Sequence, residues 1–124
     1  METIIIQDID QDILDILKFA LEEEHFNVYA VLELESNFLE MIEELRPHVI
    51  MLDYWLDGQT CINICHQIKA HYPNLPVIAM SCNININEVY DRHGFDDYIA
   101  KPFDLNMLYG TLRKYIPKHD SLKS

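Results

Sequence analysis

Short apolar runs alternate along this chain with stretches in which apolar residues recur every third or fourth position. Ile4-Ile5-Ile6 is a β-branched run that reads as a first strand, ending at Gln7-Asp8. Ile13, Ile16, Leu17, Ala20 and Leu21 then recur at helical spacing, with Asp15, Lys18, Glu22 and Glu23 on the wet side. Asp10 or Asp12 is placed to cap that helix. Phe26 to Leu32 is a second, less apolar strand, and Ser36 is placed to cap a second helix with the stripe Phe38, Leu39, Ile42 and Leu45, ended by Arg46-Pro47. Val49-Ile50-Met51-Leu52, bounded by Pro47 and Gly58, predicts a strand buried on both faces that stops abruptly on Asp53.

Cys61, Ile64, Cys65 and Ile68 mark a third helix up to about Tyr72. Pro73 and Pro76 frame a turn into a fourth strand, Val77-Ile78-Ala79-Met80, which ends on Ser81-Cys82. The Asn-rich segment 83–93 has only Ile86, Val89 and Tyr90 as a thin apolar face and predicts a short fourth helix ended by Gly94. Tyr98-Ile99-Ala100 is a brief fifth strand, followed by Lys101-Pro102-Phe103. Asp104 is placed to cap a last helix with Leu105, Leu108, Leu112 and Tyr115 inward, stopped by Pro117.

Five alternating strand and helix units imply a parallel sheet with helices on both faces. For five units the common doubly wound, flavodoxin-like α/β order is 2-1-3-4-5, with its switch point between the first and third strands. The expected organisation is one domain over residues 1–117 with a short polar tail over 118–124. No repeat, linker or membrane-length apolar run interrupts it.

Composition narrows the partners. A formal net charge of −12 disfavours bare nucleic acid and anionic membrane, and fits a basic partner surface or a site that concentrates cations. Cys61, Cys65 and Cys82 form no disulfide framework, and the amino terminus lacks a basic signal-peptide region, so a reduced, cytoplasmic setting is expected. Cys61 and Cys65 with His66 and His71 invite a zinc reading, but cysteines four apart on an apolar helix face read first as core packing.

The strand order changes how the acids are read. It brings the ends of strands one and three together, so Asp8 and Asp53 should be neighbours, with Ser81 and Lys101 on the same rim. Clustered carboxylates repel unless a cation sits among them, and a hard ion such as Mg²⁺ suits a shallow oxygen site. Such an ion, with Lys101 and the Ser81 hydroxyl, would stabilise a phosphoryl group arriving on a carboxylate oxygen. Singly, each acid is equally a cap or turn residue, with Lys101 merely neutralising charge. Their convergence at the ends of successive strands is what favours chemistry.

These residues resemble the receiver domain of two-component response regulators, the family that includes the chemotaxis regulators, over about Thr3 to Ile116. The resemblance rests on the apolar strand ending at Asp53 with Gly58 five later, on Pro76-Val-Ile-Ala-Met-Ser81, and on Gly94-Phe-Asp-Asp-Tyr98-Ile-Ala-Lys101-Pro102-Phe103. It implies that Asp53 accepts a phosphoryl group from a histidine kinase or phosphotransfer partner, without the protein being an enzyme beyond self-phosphorylation and self-dephosphorylation. It implies that Ser81 and Lys101 bind the new phosphoryl oxygens and that Tyr98 is an aromatic switch. It further implies Mg²⁺ held by Asp8, Asp53 and the backbone carbonyl of Trp55, and a cis Lys101-Pro102 bond. Output is expected through protein–protein contact on the face of the fourth helix, fifth strand and fifth helix, and Tyr90, Tyr109 and Tyr115 are candidates for a weak dimer face.

The departures carry equal weight. Where the family usually has a second acid after the first strand, this chain has Ile9, which supplies no oxygen; Asp10 or Asp57 would have to substitute in a weakened site. Trp55 is bulky enough to shield an acyl phosphate from water. Ile9 also motivates an alternative, a degenerate receiver acting as a phosphorylation-independent interaction module. A further alternative is a haloacid-dehalogenase-type phosphatase built on Asp8-Ile9-Asp10, with Asp96-Asp97 as companions. It leaves Asp53 without a task and has no cap domain. A flavin site is weaker still, because the loop after the first strand is acidic.

Overall fold

The computed structural model describes residues 1–34, 37–55, 58–82 and 85–117, the side chain of Val89 excepted. Elements alternate strictly: β1 (Thr3–Gln7), α1 (Gln11–Glu23), β2 (Asn27–Val31), α2 (Phe38–Leu45), β3 (Val49–Asp53), α3 (Gln59–His71), β4 (Val77–Ser81), α4 (Ile86–Val89), β5 (Asp97–Ala100) and α5 (Leu105–Tyr115). The five strands form one sheet in the order β2-β1-β3-β4-β5, every neighbouring pair parallel. The expected order is therefore observed, and β1 lies beside β3 with Gln7 level with Leu52.

Alternation within the strands supplies two cores. Ile4, Ile6, Met51, Ile78 and Met80 face α1 and α5, where Leu14, Leu17, Leu21, Leu108 and Leu112 meet them. Ile5, Ile50, Leu52 and Ala79 face the other way, onto Phe38, Ile42, Cys61, Cys65 and Ile68 of α2 and α3. Central strands covered on both faces explain why β1, β3 and β4 read as unbroken apolar runs.

The side chain of Asp10 accepts from the backbone N–H of Asp12 and Ile13, so Asp10 is the cap of α1. Asp104 caps α5 through the N–H of Met107 at 2.8 Å. The proposed Ser36 cap and the 118–124 tail lie outside the described residues.

Three expectations about helices need correction, and the first is Leu105, read as inward on the last helix but 42% exposed at its first turn. In α1 the inward set is Leu14, Leu17, Ala20 and Leu21, while Ile16 is 58% exposed. At 3.6 residues per turn Ile16 lies roughly 110° round the helix from the centre of that set, so helical spacing alone fitted two overlapping stripes. The fourth helix is shorter than expected, a single turn followed by turns as far as Gly94. Ile86 is the buried anchor there, and one turn needs no longer apolar stripe.

Gly58 precedes α3 with φ +75°, and a Cβ there would lie 2.2 Å from the ring of Tyr54. Tyr54 is buried and meets Phe95 edge-on at 6.1 Å, so its ring has little room to retreat. Gly58→Ala is expected to cost about 2 kcal/mol or more, from the positive φ and the overlap together. Urea unfolding checks this; an unchanged midpoint would show that the loop relaxes freely.

Candidate functional site

The carboxyl ends of β1, β3, β4 and β5 share one edge of the sheet, and each delivers a polar residue there. Asp8 follows β1, Asp53 ends β3, Ser81 ends β4 and Lys101 follows β5. Asp8, Asp53 and Ser81 are all buried. The Lys101 ammonium bridges the two acids, 2.7 Å from Asp8 Oδ2 and 2.9 Å from Asp53 Oδ1. The remaining oxygens take backbone donors: the N–H of Asp10 reaches Asp8 Oδ1 at 2.9 Å, and that of Ile9 reaches Asp53 Oδ2 at 3.3 Å. The Lys101 N–H donates to the Ser81 carbonyl at 2.8 Å, and the Lys101–Pro102 peptide is cis.

One ammonium between two buried carboxylates leaves one negative charge uncompensated. Burial raises the pKa of Asp53, and the charge of Asp8 adds to this against the lowering effect of Lys101 and the Ile9 N–H. For Lys101 burial works against the charge, but hydrogen bonds to Asp8 and Asp53 and their charges outweigh it, so its pKa is raised. The ammonium stays charged across the ordinary pH range.

Above this floor lies a cleft of about 550 Å³, walled by Ile9, Ile13, Trp55 and Cys82. Ile9 is 51% exposed over it, and the Trp55 side chain stands at the rim. Tyr98 is half-buried and packs against Tyr90 with ring centroids 5.0 Å apart. Asp10 also lines the cleft while its Oδ1 caps α1. Asp57 lies outside the described residues.

Could the site hold a divalent ion? Among the described residues no group of three Asp, Glu, His or Cys side chains is placed to hold a metal. The two carboxylates of Asp8 and Asp53 both already accept from Lys101, and the Trp55 carbonyl, the expected third oxygen, accepts from the Gly58 N–H at 2.9 Å. The donor set therefore fits a divalent ion only in part, and Ile9 is the reason. Cys61 and Cys65, the pair that invited a zinc reading, lie inside the core packed under α3. Both are buried, and burial pushes both thiols up, Cys65 to about 12 against the lowering effect of the Lys69 charge.

The phosphatase companions lie at the other end of β5. Asp96 pairs with Lys69 at 2.6 Å, and Asp97 accepts from Lys114 and Tyr115. Tyr109 hydrogen bonds to the Ala20 carbonyl, and Tyr115 to Asp97, so both hydroxyls are used within the fold.

One site residue escaped the sequence reading. Gln7 is only 2% exposed, and its Oε1 accepts from the backbone N–H of Asp53 at 3.3 Å. The available signal was an amide continuing an Ile-Ile-Ile run inside a strand buried on both faces.

Lys101→Met leaves two buried carboxylates without their cation and is expected to cost about 3 kcal/mol at neutral pH. Because Asp53 has a raised folded pKa, the native state holds that proton more tightly than the unfolded chain. Stability should therefore fall as pH rises from the ordinary carboxylate value through the raised one, and Lys101→Met should widen this loss. The Lys101 contribution has the opposite pH limit: it is complete below the ordinary lysine value and lost as pH climbs through its raised folded value. Urea unfolding of both proteins from acid to neutral pH reads this out; parallel pH profiles would contradict it.

A family model for the response regulator receiver domain matches residues 4–113. The chain is similar to the receiver domain of NtrX from Brucella abortus, at 28% identity and a TM-score of 0.78, over 94% of this chain and 99% of that one. It is similar to the N-terminal signal receiver domain of a two-component response regulator from Bacteroides fragilis, at 25% identity and a TM-score of 0.78, over 96% of this chain and 99% of the other. In fold it matches a response regulator from Thermotoga maritima at 23% identity and a TM-score of 0.82, over 95% and 99% of the two chains. With the sheet order and the carboxylate–lysine edge already in place, these matches make the chain a receiver domain of the response regulator family.

Proposed function

We propose that this receiver accepts a phosphoryl group on a carboxylate oxygen of Asp53 and signals through protein–protein contacts. The observation that carries the reading is the buried Asp53 carboxylate, held 2.9 Å from Lys101 at the floor of an open cleft. Transfer from a phosphohistidine of a histidine kinase or phosphotransfer protein breaks the N–P bond and forms an O–P bond, and the released imidazole takes up a proton. Modification leaves up to about two negative charges on the new group. The Lys101 ammonium has a third N–H to offer it, and the Ile9 N–H and the Ser81 hydroxyl are its proposed further donors. Where Mg²⁺ takes part, Asp8, Asp53 and the Trp55 carbonyl are its proposed ligands, with Asp10 or Asp57 as substitutes for the acid absent at Ile9. The ion would supply further charge neutralisation.

Partner docking has physical support beside the cleft. Ile16 and Phe19 are exposed on α1 near the exposed acids Asp12 and Asp15, and Ile9 is exposed in the cleft wall. An apolar patch with an acidic rim suits a basic, amphipathic partner helix. Output is assigned to the α4–β5–α5 face, where Tyr98 would move inward as Ser81 and Lys101 engage the phosphoryl group. The formal net charge of −12 disfavours bare nucleic acid as a partner, and among the described residues no helix is long and apolar enough to cross a membrane.

Ile9 favours a second reading, a receiver that binds its partner without being phosphorylated. Intact mass after incubation with acetyl phosphate and Mg²⁺ separates the two. The first reading expects one added phosphate in the native protein and none in Asp53→Asn. No modification of the native protein, with modification restored by Ile9→Asp, would establish the second.

A further inference from the structure

Asp8, Asp53, Ser81 and Lys101 were legible in the sequence as candidate chemistry, but Gln7 is placed by this structure alone. β1 is the strand between β2 and β3, and its other members are buried as it is. A side-chain amide in that position is costly unless both its oxygen and its nitrogen find partners. Both do. Oε1 accepts from the Asp53 N–H at 3.3 Å, and Nε2 donates to the Leu32 carbonyl at 3.1 Å. Leu32 follows β2 and Asp53 ends β3, so a single amide ties the ends of both flanking strands across β1.

We propose that Gln7 is a positioning residue for Asp53, its buried amide fixing the Asp53 backbone and thereby the direction in which the carboxylate faces the cleft. Packing does not require a glutamine there. An apolar side chain of similar volume would continue the Ile4-Ile5-Ile6 run with no polar group to satisfy. What the amide adds is a bond to the main chain of the one residue whose carboxylate meets both Lys101 and the Ile9 N–H. Asp53 is thus gripped at three atoms by three residues: N by Gln7, Oδ1 by Lys101 and Oδ2 by Ile9. Two of those three belong to the end of β1 and the residues just beyond it, so this strand end forms the cradle. In-line phosphoryl transfer depends on the angle at which an oxygen meets phosphorus, and small misplacements of a reacting group cost large factors in rate. The inference rests on Asp53 being the acceptor proposed above.

The test uses Gln7→Met, which keeps length and removes both hydrogen bonds, and Gln7→Glu, which keeps an acceptor towards Asp53. In Gln7→Met the Asp53 amide proton should exchange at least about tenfold faster by NMR, with Leu52 unchanged. Modification by acetyl phosphate should slow about tenfold at saturating donor, with the half-saturating donor concentration unchanged, a split that a merely space-filling role would not cause. Gln7→Glu should restore the amide protection. Native-like Asp53 exchange and modification rate in Gln7→Met would overturn the inference, as would loss of that protection in a folded Gln7→Glu should the Met variant not fold. A native protein that takes no phosphate while the exchange results hold would refute Asp53 as acceptor and leave the Gln7 bond standing. Normal phosphorylation in every variant, with unchanged exchange, would do the reverse.

Discussion

A single ammonium placed between two buried carboxylates governs the carboxyl edge of this sheet. Asp8 and Asp53 come together because β1 pairs with β3, and the pairing is fixed by apolar strands that must be covered on both faces. Two acids so close could not both be ionised without a cation. Lys101 supplies one from the far side of the sheet, after β5, and its side chain closes the edge as a salt bridge. The charge is partial compensation only: one positive group against two negative ones. Burial first, with the charge of Asp8 adding to it, keeps Asp53 reluctant to ionise and leaves the site receptive to further positive charge or further hydrogen-bond donors.

Ile9 shifts how that demand is met. A third acid in its place would add a metal ligand and more need for a metal. With an apolar side chain there, the residue offers Asp53 only its main-chain N–H, and the side chain forms part of the cleft wall. Trp55 and Ile13 extend that wall. The result is an unusually apolar mouth over an ionic floor. These apolar side chains border the oxygens of Asp53 and Asp8 on the open side of the cleft. The same substitution therefore weakens one route of charge compensation and strengthens the partner-facing character of the edge.

Much of this was legible because the signals were strong and local. Continuous apolar runs marked β1, β3 and β4, since strands buried on both faces leave few polar positions to blur the pattern. Asp10 and Asp104 were legible as caps because a short acid before an apolar helical repeat satisfies orphan N–H groups. The strand order followed from alternation, and it alone placed Asp8, Asp53 and Lys101 together. The errors arose where spacing underdetermines direction. Ile16 fits a helical repeat yet faces solvent, because α1 carries apolar residues over more than half its circumference. Gln7 was passed over because its importance lies in partners on two other strands, Leu32 and Asp53, which no local pattern reveals. How far Trp55 and Tyr98 turn inward likewise depends on neighbours distant in sequence, such as Tyr90 for Tyr98.

The central claim is that Lys101, rather than a full set of metal ligands, is the resident cation of this site, with Ile9 as the cause. The most direct test is titration of the native protein and Ile9→Asp with Mg²⁺, followed by the fluorescence of Trp55, two residues from Asp53. The account predicts that the native protein binds at least about tenfold more weakly than Ile9→Asp, the factor expected for a lost first-rank or supporting ligand. Equal, tight binding by both proteins would contradict it, and would mean that the cleft completes a divalent site without the acid that Ile9 displaces.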